Sequence, residues 1–590
     1  MKRKVIQMNI FTILKKEIQT TVEKLAKEGK IKSLPNMERI TAEPPRDATH
    51  GDVATNVAMV CSGQVGLKPR EFAELVADEL RKLDIIDNVE VAGPGFINLK
   101  LSNSFWYKQL LTILNEKENY GSSDMGKGEK VNVEFCSANP TGPLHVGHIR
   151  STIFGDCIAG LLQKAGFYVT REYYINDAGA QMDKLAHSTY LRYREALGED
   201  IGEIPAGYYP GEYLKDVAKA IVEKDGNKWM NVDESECHLY FRELAGKIIL
   251  DEIKKDLKAA GVHDFDVFTS ELAIKNSGGI ERALDVLKAQ DLVYTGVPEK
   301  PKSAKAMEDW EPKEMLLFRS TKFGDETDRP LARADGTYTY FMPDIAYQYD
   351  KYKRGFKRLI MTLGADHGGY VKRLTSAVNA VTEGQATLEM PLVQMVSFSK
   401  DGQPFKMSKR NGTIVLVRDL LEEVDKDVLR FFMMTRKNDS QLEFDLVKVK
   451  EQSKDNPVFY VQYAHARAYS VFRHAKEMFG TDVLNDLQKA DLSLLKDESE
   501  IALIRQLAEF PRQVETAAAV VEPHRIAYYL YDLASGFHAL WNKGRDDVQM
   551  RFLDEKQPEL SRARLALIQG VCFVIASGLG IFGVKPVKEM

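Results

Sequence analysis

Two histidines, His145 and His148, stand three residues apart at the start of a predicted helix, with Gly147 between them. The apolar run at 131–135 before them is typical of a buried strand. Residues three apart on a helix share a face, and the first turn offers free backbone N–H groups and a partial positive charge. Imidazole N–H groups donate to phosphate oxygens, and a glycine lets a large anion approach the backbone. The pattern therefore predicts a phosphate site made by a strand, a turn and a helix.

Other interpretations of the histidine pair are open at this point. The two rings could simply begin a helix, or they could bind zinc together with Cys136 and Cys157. Neither cysteine has the C-x-x-C partner typical of zinc ligands, so we predict no metal site. With 11 His and 41 Gly in 590 residues, H-x-G-H arises by chance in about one chain in a hundred of this composition. A second, independent signal is needed to support the phosphate-site interpretation.

That signal is a lysine-rich loop at 397–412, which carries Lys400, Lys406, Lys409 and Arg410. A cationic loop is usually just a solvated surface loop. Here it follows a predicted α/β sheet that already holds the histidine pair. A flexible cationic loop that closes over a triphosphate would neutralise the charge that grows during phosphoryl transfer. Together the two motifs indicate a triphosphate site.

The elements that must position these motifs form an α/β pattern. Predicted strands lie at 131–135, 168–175 and 358–363, and the last runs into a glycine-rich segment at 364–369. Ligands of such sheets bind at the carboxyl ends of the strands. We expect the charged, helical stretch from about 190 to 297 to be an insertion between two halves of the sheet. The second half is expected to resume at 317–319.

Three domains are predicted from the patterns along the chain. Residues 1–125 form a small α+β domain, with helices at 11–27 and 69–83 and two short strands around a Gly-Pro-Gly turn. Residues 126–454 form the α/β catalytic domain, and residues 455–590 form an all-α helical bundle. A chain of 590 residues is long enough for several such units.

Composition restricts the class of protein further. Five scattered cysteines fit a reducing compartment and argue against a disulfide framework. The N-terminal basic cluster lacks a following apolar region, and no apolar run is expected to span a membrane. We therefore expect a cytoplasmic protein without a membrane partner. A formal charge of −5 leaves an RNA partner open, because what matters is charge clustered on one face.

H-x-G-H followed by K-M-S-K, in this order around a split sheet, resembles the class I aminoacyl-tRNA synthetases, and the flanking residues resemble the arginyl-tRNA synthetase family. The resembling stretches are 133–144, 174–181, 335–347, 364–370 and 460–467. The resemblance implies a Rossmann-like parallel sheet. It also implies that the N-terminal domain binds tRNA and that the helical bundle binds the anticodon.

The resemblance implies a two-step reaction in protein biosynthesis. ATP and L-arginine give arginyl-adenylate and pyrophosphate, and a terminal ribose hydroxyl of tRNA(Arg) then takes the arginyl group and releases AMP. Mg²⁺ is expected to arrive with ATP rather than in a protein-built site. The family also suggests a monomer. The alternatives are a class I synthetase for another amino acid and an inactive tRNA-binding relative.

Site residues follow from the same resemblance. His145 and His148 would hold the ATP phosphates, while Lys406 and Lys409 would close on the α-phosphate and the departing pyrophosphate. Further residues implied to bind ATP are Leu144, Gly147, Asp366, His367, Met407 and Ser408. Those implied to bind arginine are Glu134, Asn139, Glu271, Tyr340 and Asp344.

Arginine recognition needs a planar, bidentate acceptor for the guanidinium, and buried carboxylates supply one. Asp344 is the expected guanidinium partner, with Tyr340 as pocket wall and hydrogen-bond donor, since residues four apart on a helix face the same way. Asn139 is expected to hold the α-amino group. Asp344 could instead cap a helix, and Tyr340 could be plain core.

Three aromatic residues in the predicted bundle, Tyr460, Tyr463 and Trp541, are candidates for stacking on anticodon bases. Aromatic residues at helical spacing are more often part of a core. Both interpretations are open from sequence.

Overall fold

The computed structural model describes residues 9–300, 312–404 and 415–590. An N-terminal α+β part is followed by a central α/β part and a C-terminal helical bundle, in the order that the predicted fold class requires.

The N-terminal part is an antiparallel sheet covered by helices. Its strands are β1 (Ala42–Glu43), β2 (Val53–Thr55), β3 (Ile86–Ala92) and β4 (Phe96–Leu101), and its helices are α1 (Ile10–Lys27), α2 (Val57–Val65), α3 (Pro69–Leu80) and α4 (Asn103–Glu116). The strand order is β1-β2-β4-β3. A side chain at Gly51 would place its Cβ 2.7 Å from the Leu99 carbonyl oxygen, so only glycine fits this close approach.

The central part supplies all of the remaining described strands and ten of the described helices. The strands are β5 (Lys130–Glu134), β6 (Tyr168–Ile175), β7 (Val267–Ser270), β8 (Val293–Gly296), β9 (Met315–Phe318), β10 (Arg329–Ala332), β11 (Arg358–Met361), β12 (Leu363–Gly364), β13 (Thr387–Glu389), β14 (Leu392–Val393), β15 (Val396–Lys400), β16 (Gln403–Pro404) and β17 (Leu442–Asp445). The helices are α5 (Val146–Lys164), α6 (Ala180–Ala196), α7 (Tyr213–Asp225), α8 (Glu234–Ala259), α9 (Glu271–Asn276), α10 (Gly279–Ala289), α11 (Phe341–Lys353), α12 (Gly368–Val381), α13 (Val417–Glu423) and α14 (Lys426–Met433).

The central sheet is parallel, with described strands in the order β13-β11-β5-β6-β7. Strand β5 lies in the middle, and Val131 and Val133 are fully buried, as expected for a strand covered on both faces. Glu134 at the end of β5 lies opposite Met361 of β11 and Glu172 of β6. The carboxyl ends of three strands therefore meet at one edge.

The structure corrects the predicted insertion. Strand β7 lies inside the stretch from about 190 to 297, yet it pairs in parallel with β6 and belongs to the central sheet. Residues 317–319 do not resume that sheet, because β9 lies in a separate antiparallel sheet of order β10-β9-β8. A four-residue strand between long helices carries too short a periodic signal to be recognised from sequence.

The C-terminal bundle consists of long helices around an apolar core. They are α15 (Pro457–Phe479), α16 (Glu498–Ala508), α17 (Phe510–Ala519), α18 (His524–Asp546) and α19 (Pro558–Ile581). Among the described helices, α19 is long and apolar enough to cross a membrane by length and composition, contrary to the expectation from sequence, but 78% of its most apolar window is buried in the protein. Such burial is typical of a core helix.

A buried ion pair within the central part is hydrogen-bonded to the end of the bundle. Asp156 of α5 and Arg430 of α14 lie 2.6 Å apart, and both side chains are fully buried. The Asp156 carboxylate also accepts from Arg171, and Arg430 Nε donates to the Phe582 carbonyl at 2.6 Å. Helix α5, which begins just after His145, is therefore tied to the chain that follows α19.

Candidate active site

The loop after β5 starts with an unusual backbone. Cys136 and Ser137 both have positive φ, at 69° and 46°, which costs free energy for residues with a Cβ. Two hydrogen bonds tie this loop to β6: Tyr174 N–H donates to Ser137 Oγ, and the Tyr173 hydroxyl donates to the Ala138 carbonyl at 2.7 Å. The neighbouring strand thus fixes the turn that leads to the histidines.

The two histidines cap the N-terminus of α5. His145 is the N-cap of α5, and its Nδ1 accepts from the Gly147 N–H at 3.2 Å. His148 Nδ1 accepts from the His145 N–H, and the two ring centroids lie 3.8 Å apart. Because each Nδ1 accepts, each neutral ring carries its proton on Nε2. The pair can therefore donate two N–H groups at a helix N-terminus.

Burial keeps both rings neutral. It lowers the pKa of His145, and it lowers the pKa of His148 to about 4, with repulsion from His145 adding to the effect. A Cβ on Gly147 would lie 2.9 Å from the His145 ring, so glycine at this position leaves room for that ring. Both rings are half-buried, and Leu144 beside them is fully buried.

The chain that follows the lysine-rich loop lies directly against the histidine turn. Val146 N–H donates to the Val415 carbonyl, and Val417 N–H donates to the Leu144 carbonyl, both at 3.0 Å. Lys406, Met407, Ser408 and Lys409 lie outside the described residues. The described chain resumes at 415, and this residue lies beside the turn that carries His145.

Three carboxylates, those of Glu134, Glu271 and Asp344, gather near this edge. Burial raises the pKa of Asp344 to about 7, the hydrogen bond that the Tyr370 hydroxyl donates to it opposes this shift, and repulsion from Glu271 and Glu134 adds to it. Burial raises the pKa of the Tyr174 hydroxyl most, and repulsion from the same three carboxylates raises it further. All three therefore act on one pocket beside Tyr174.

Neither Asp344 nor Glu271 forms an ion pair with a described Lys or Arg. Each accepts a hydrogen bond from a tyrosine instead, Asp344 from Tyr370 and Glu271 from Tyr174, and burial raises the pKa of Glu271 as well. Glu134 differs, because its carboxylate lies 2.5 Å from the Nζ of Lys351, with both side chains buried. Two half-buried carboxylates without an ion pair to a described Lys or Arg are suited to a planar cation that donates to both.

Backbone contacts hold Glu271 in place. It is the first residue of α9, and Asp177 accepts from the residues on either side of it, from Ser270 Oγ at 2.6 Å and from Leu272 N–H at 2.9 Å. Sequence reasoning placed Asp177 in a resembling stretch without a role. Its function in orienting Glu271 is visible only in three dimensions.

Two predicted arginine ligands lie at the rim instead of in the pocket. The Tyr340 side chain is 85% exposed at the N-cap of α11, so the structure does not bring it in as a pocket wall beside Asp344. Asn139 is exposed and donates to Gln181 Oε1 at 3.2 Å.

Asp366 and His367 follow β12, next to the edge where β11 ends. His367 Nε2 lies 3.6 Å from the Asp366 carboxylate, and both side chains are mostly exposed. They are thus available to solvent at the start of α12.

The three aromatic candidates of the bundle come together. The Arg467 guanidinium lies over the Tyr463 and Trp541 rings, 4.4 and 4.7 Å from their centroids. Tyr460 packs on the His538 ring at 4.5 Å, and Arg467 contacts His538 at 3.0 Å. All three aromatics are half-buried, so they form a cluster that is partly core and partly surface.

Sequence reasoning missed Tyr370, Lys351, Arg467 and His538 as site or cluster residues. Tyr370 ends a resembling stretch, and its distance of 26 residues from Asp344 gives no periodic signal.

Among the described residues, no group of three or more His, Cys, Asp or Glu could hold a metal ion.

Three family models match consecutive parts of the chain. The arginyl-tRNA synthetase N-terminal domain matches residues 12–101, the catalytic domain of class I tRNA synthetases (R) matches 109–467, and the DALR anticodon binding domain matches 461–590. These models cover nearly the whole chain.

Similar proteins agree over the full length. An arginine–tRNA ligase of Parvibaculum lavamentivorans is 51% identical over 586 residues, which cover 99% of this chain and 100% of the relative. A second, of Rhodospirillum rubrum, is 51% identical over 594 residues, with the same coverage. The solved arginyl-tRNA synthetase of Thermus thermophilus is 21% identical, with a TM-score of 0.65 over 98% of this chain and 100% of that chain, and it supports the fold. The chain belongs to the arginyl-tRNA synthetases of class I.

Proposed function

We propose that this enzyme activates L-arginine with ATP to arginyl-adenylate and then transfers the arginyl group to tRNA(Arg), with release of pyrophosphate and AMP. The observation that carries the proposal is a pair of carboxylates, those of Asp344 and Glu271, that form no ion pair with a described Lys or Arg, at the sheet edge that also presents His145 and His148. A pocket of this charge selects a guanidinium, and lysine cannot donate to both carboxylates in one plane.

ATP binding is assigned to the histidine turn and its surroundings. His145 and His148 donate their Nε2 protons to phosphate oxygens, while Leu144, Gly147, Asp366 and His367 surround the adenosine and the phosphates. The lysine-rich loop adds Lys406 and Lys409, with Met407 and Ser408 between them. Since the arginine carboxylate attacks the α-phosphate in line, positioning and charge stabilisation supply most of the catalysis.

Arginine binding is assigned to the acidic pocket. Asp344 and Glu271 accept from the guanidinium, Asn139 holds the α-amino group, and Glu134 lines the amino-acid end. Tyr340, which is exposed at the rim, donates a hydrogen bond to the substrate from there.

Further parts of the proposal concern partners and organisation. Mg²⁺ arrives with ATP and neutralises phosphate charge. Residues 1–125 and 455–590 are the tRNA-binding domains that flank a catalytic domain of residues 126–454, and Tyr460, Tyr463 and Trp541 contact the anticodon loop. The enzyme works as a cytoplasmic monomer with no membrane partner.

ATP–pyrophosphate exchange tests the substrate. With purified enzyme, tRNA(Arg) and each amino acid in turn, we expect arginine to drive exchange at least about a hundredfold better than lysine, because lysine leaves one buried carboxylate unpaired. Parallel reactions without tRNA show whether activation depends on it. Exchange that is driven best by another amino acid would overturn the proposal.

Arginine affinity should depend on pH. The pKa of Asp344 in the free enzyme is about 7, and a bound guanidinium favours the carboxylate, so binding releases a proton. Affinity is therefore full above pH 7 and weakens by up to about tenfold per unit as pH falls below it. Calorimetric titration at three pH values, in buffers with different ionisation enthalpies, measures both the arginine affinity and the number of protons released on binding. An affinity that stays constant across this range contradicts the role of Asp344.

A further inference from the structure

Lys351 is a fully buried cation close to the acidic pocket. It lies on α11, seven residues after Asp344, and its Nζ is 2.5 Å from Glu134 Oε2. The exposed fractions of the two side chains are 0% and 2%. A buried ammonium group persists only where a partner compensates its lost hydration, so this pair is a fixed part of the fold.

Aromatic rings connect Lys351 with the pocket. Its Nζ lies 4.2 Å from the centroid of the Tyr347 ring, and that ring packs on Tyr174 at 4.5 Å between centroids. Tyr174 is the residue whose hydroxyl pKa is raised by burial and by the charges of Glu134, Glu271 and Asp344. The Tyr347 and Tyr174 rings therefore connect the ion pair with the three carboxylates.

The neighbouring carboxylate Glu172 has other partners. Arg354 donates to both of its oxygens, at 2.8 and 2.9 Å, and Thr269 Oγ1 and Asn132 Nδ2 donate to it at 2.6 Å. Among the described residues, Lys351 forms its ion pair with Glu134. Lys351 also acts electrostatically on Glu172, while its direct ion pair is with Glu134.

We infer that Lys351 is a positioning residue for arginine recognition, which holds Glu134 and compensates its charge so that Asp344 stays available to the guanidinium. The inference rests on the proposed function. The charged and titratable groups that act on Asp344 are Glu134 of β5, Glu271 of α9 and Tyr370 and Arg373 of α12. Of the two carboxylates in this set, Glu134 is the one with a cationic partner among the described residues.

The test is the pH dependence of L-arginine binding to the full chain. In Lys351→Met the Glu134 charge is uncompensated and repels a negative Asp344, so the pH midpoint of binding should rise by about one unit. Near pH 7 this lowers affinity by about fivefold, and the deficit should shrink as pH rises toward 8.5. The maximal rate of adenylate formation at saturating arginine should change less than the arginine KM.

A charge cycle separates this effect from lost packing. Glu134→Gln leaves Lys351 as the uncompensated charge and should lower the midpoint, while the double variant Lys351→Met/Glu134→Gln should return it toward that of the unmodified enzyme. Lys351→Arg should keep the original midpoint. Lys353→Met, on the exposed side of the same helix, is the matched control and should have no effect.

The outcomes distinguish the two proposals. A midpoint that stays unchanged in Lys351→Met, or a shift that the second substitution does not reverse, overturns the inference while leaving arginine recognition intact. If Lys351→Met does not fold, Glu134→Gln alone decides, because a midpoint that fails to fall also overturns it. If the unmodified enzyme binds arginine without any midpoint near pH 7, the proposed role of Asp344 fails instead.

Discussion

Asp344→Asn is expected to weaken arginine binding by on the order of a hundredfold to a thousandfold, or ~3–4 kcal/mol. The amide keeps the shape of the carboxylate and can still accept from Tyr370, so the pocket is preserved. What is lost is one charge opposite a desolvated guanidinium, which leaves that cation incompletely paired. Isothermal titration with arginine, together with the arginine KM in pyrophosphate exchange, measures the effect.

The matched control is Asp350→Asn on the same helix. Asp350 pairs with Arg354 at 2.9 Å but is 43% exposed, so solvent screens the pair and its loss should barely change arginine affinity. Near-normal arginine affinity in Asp344→Asn would remove this residue from the pocket.

His148→Ala is expected to slow adenylate formation by on the order of a hundredfold to a thousandfold, with arginine affinity unchanged. The ring is neutral, because burial lowers its pKa to about 4, so it contributes a fixed Nε2 donor rather than a titrating charge. Single-turnover measurement of adenylate formation reports this step directly.

Two further variants test the assignment. In His148→Gln the side-chain oxygen can accept from the His145 N–H, as in a capping box, and the amide offers an N–H donor, so part of the rate should return; His148→Ala loses both. His474→Ala, at an exposed position of α15, is the control for the same substitution. An unchanged rate in His148→Ala would exclude a role in phosphate stabilisation.

The parts of the fold with long, regular patterns could be predicted from sequence. The helix predicted at 11–27 is α1 (Ile10–Lys27), and the strand predicted at 168–175 is β6 (Tyr168–Ile175), because both have clear periodicity and end signals. Strand β7 was missed because four residues do not establish a period.

The histidine turn was predictable for a different reason. Its signal is local, since a strand, a turn and a capped helix follow one another within about twenty residues. The pocket carboxylates depend on long-range contacts instead. Glu134 and Lys351 are 217 residues apart, and no sequence spacing indicates that they pair.

The contact between Arg430 and Phe582 has a consequence for how the protein is made. Translation produces Asp156 first, Arg430 next and Phe582 last. Helix α5, which carries Asp156 and follows His145, is therefore synthesised long before Phe582, the residue that accepts from Arg430. Until then the buried Asp156–Arg430 pair lacks the carbonyl that accepts from Arg430 Nε. The nascent catalytic region therefore reaches its final packing only late in synthesis, when residues beyond α19 have emerged.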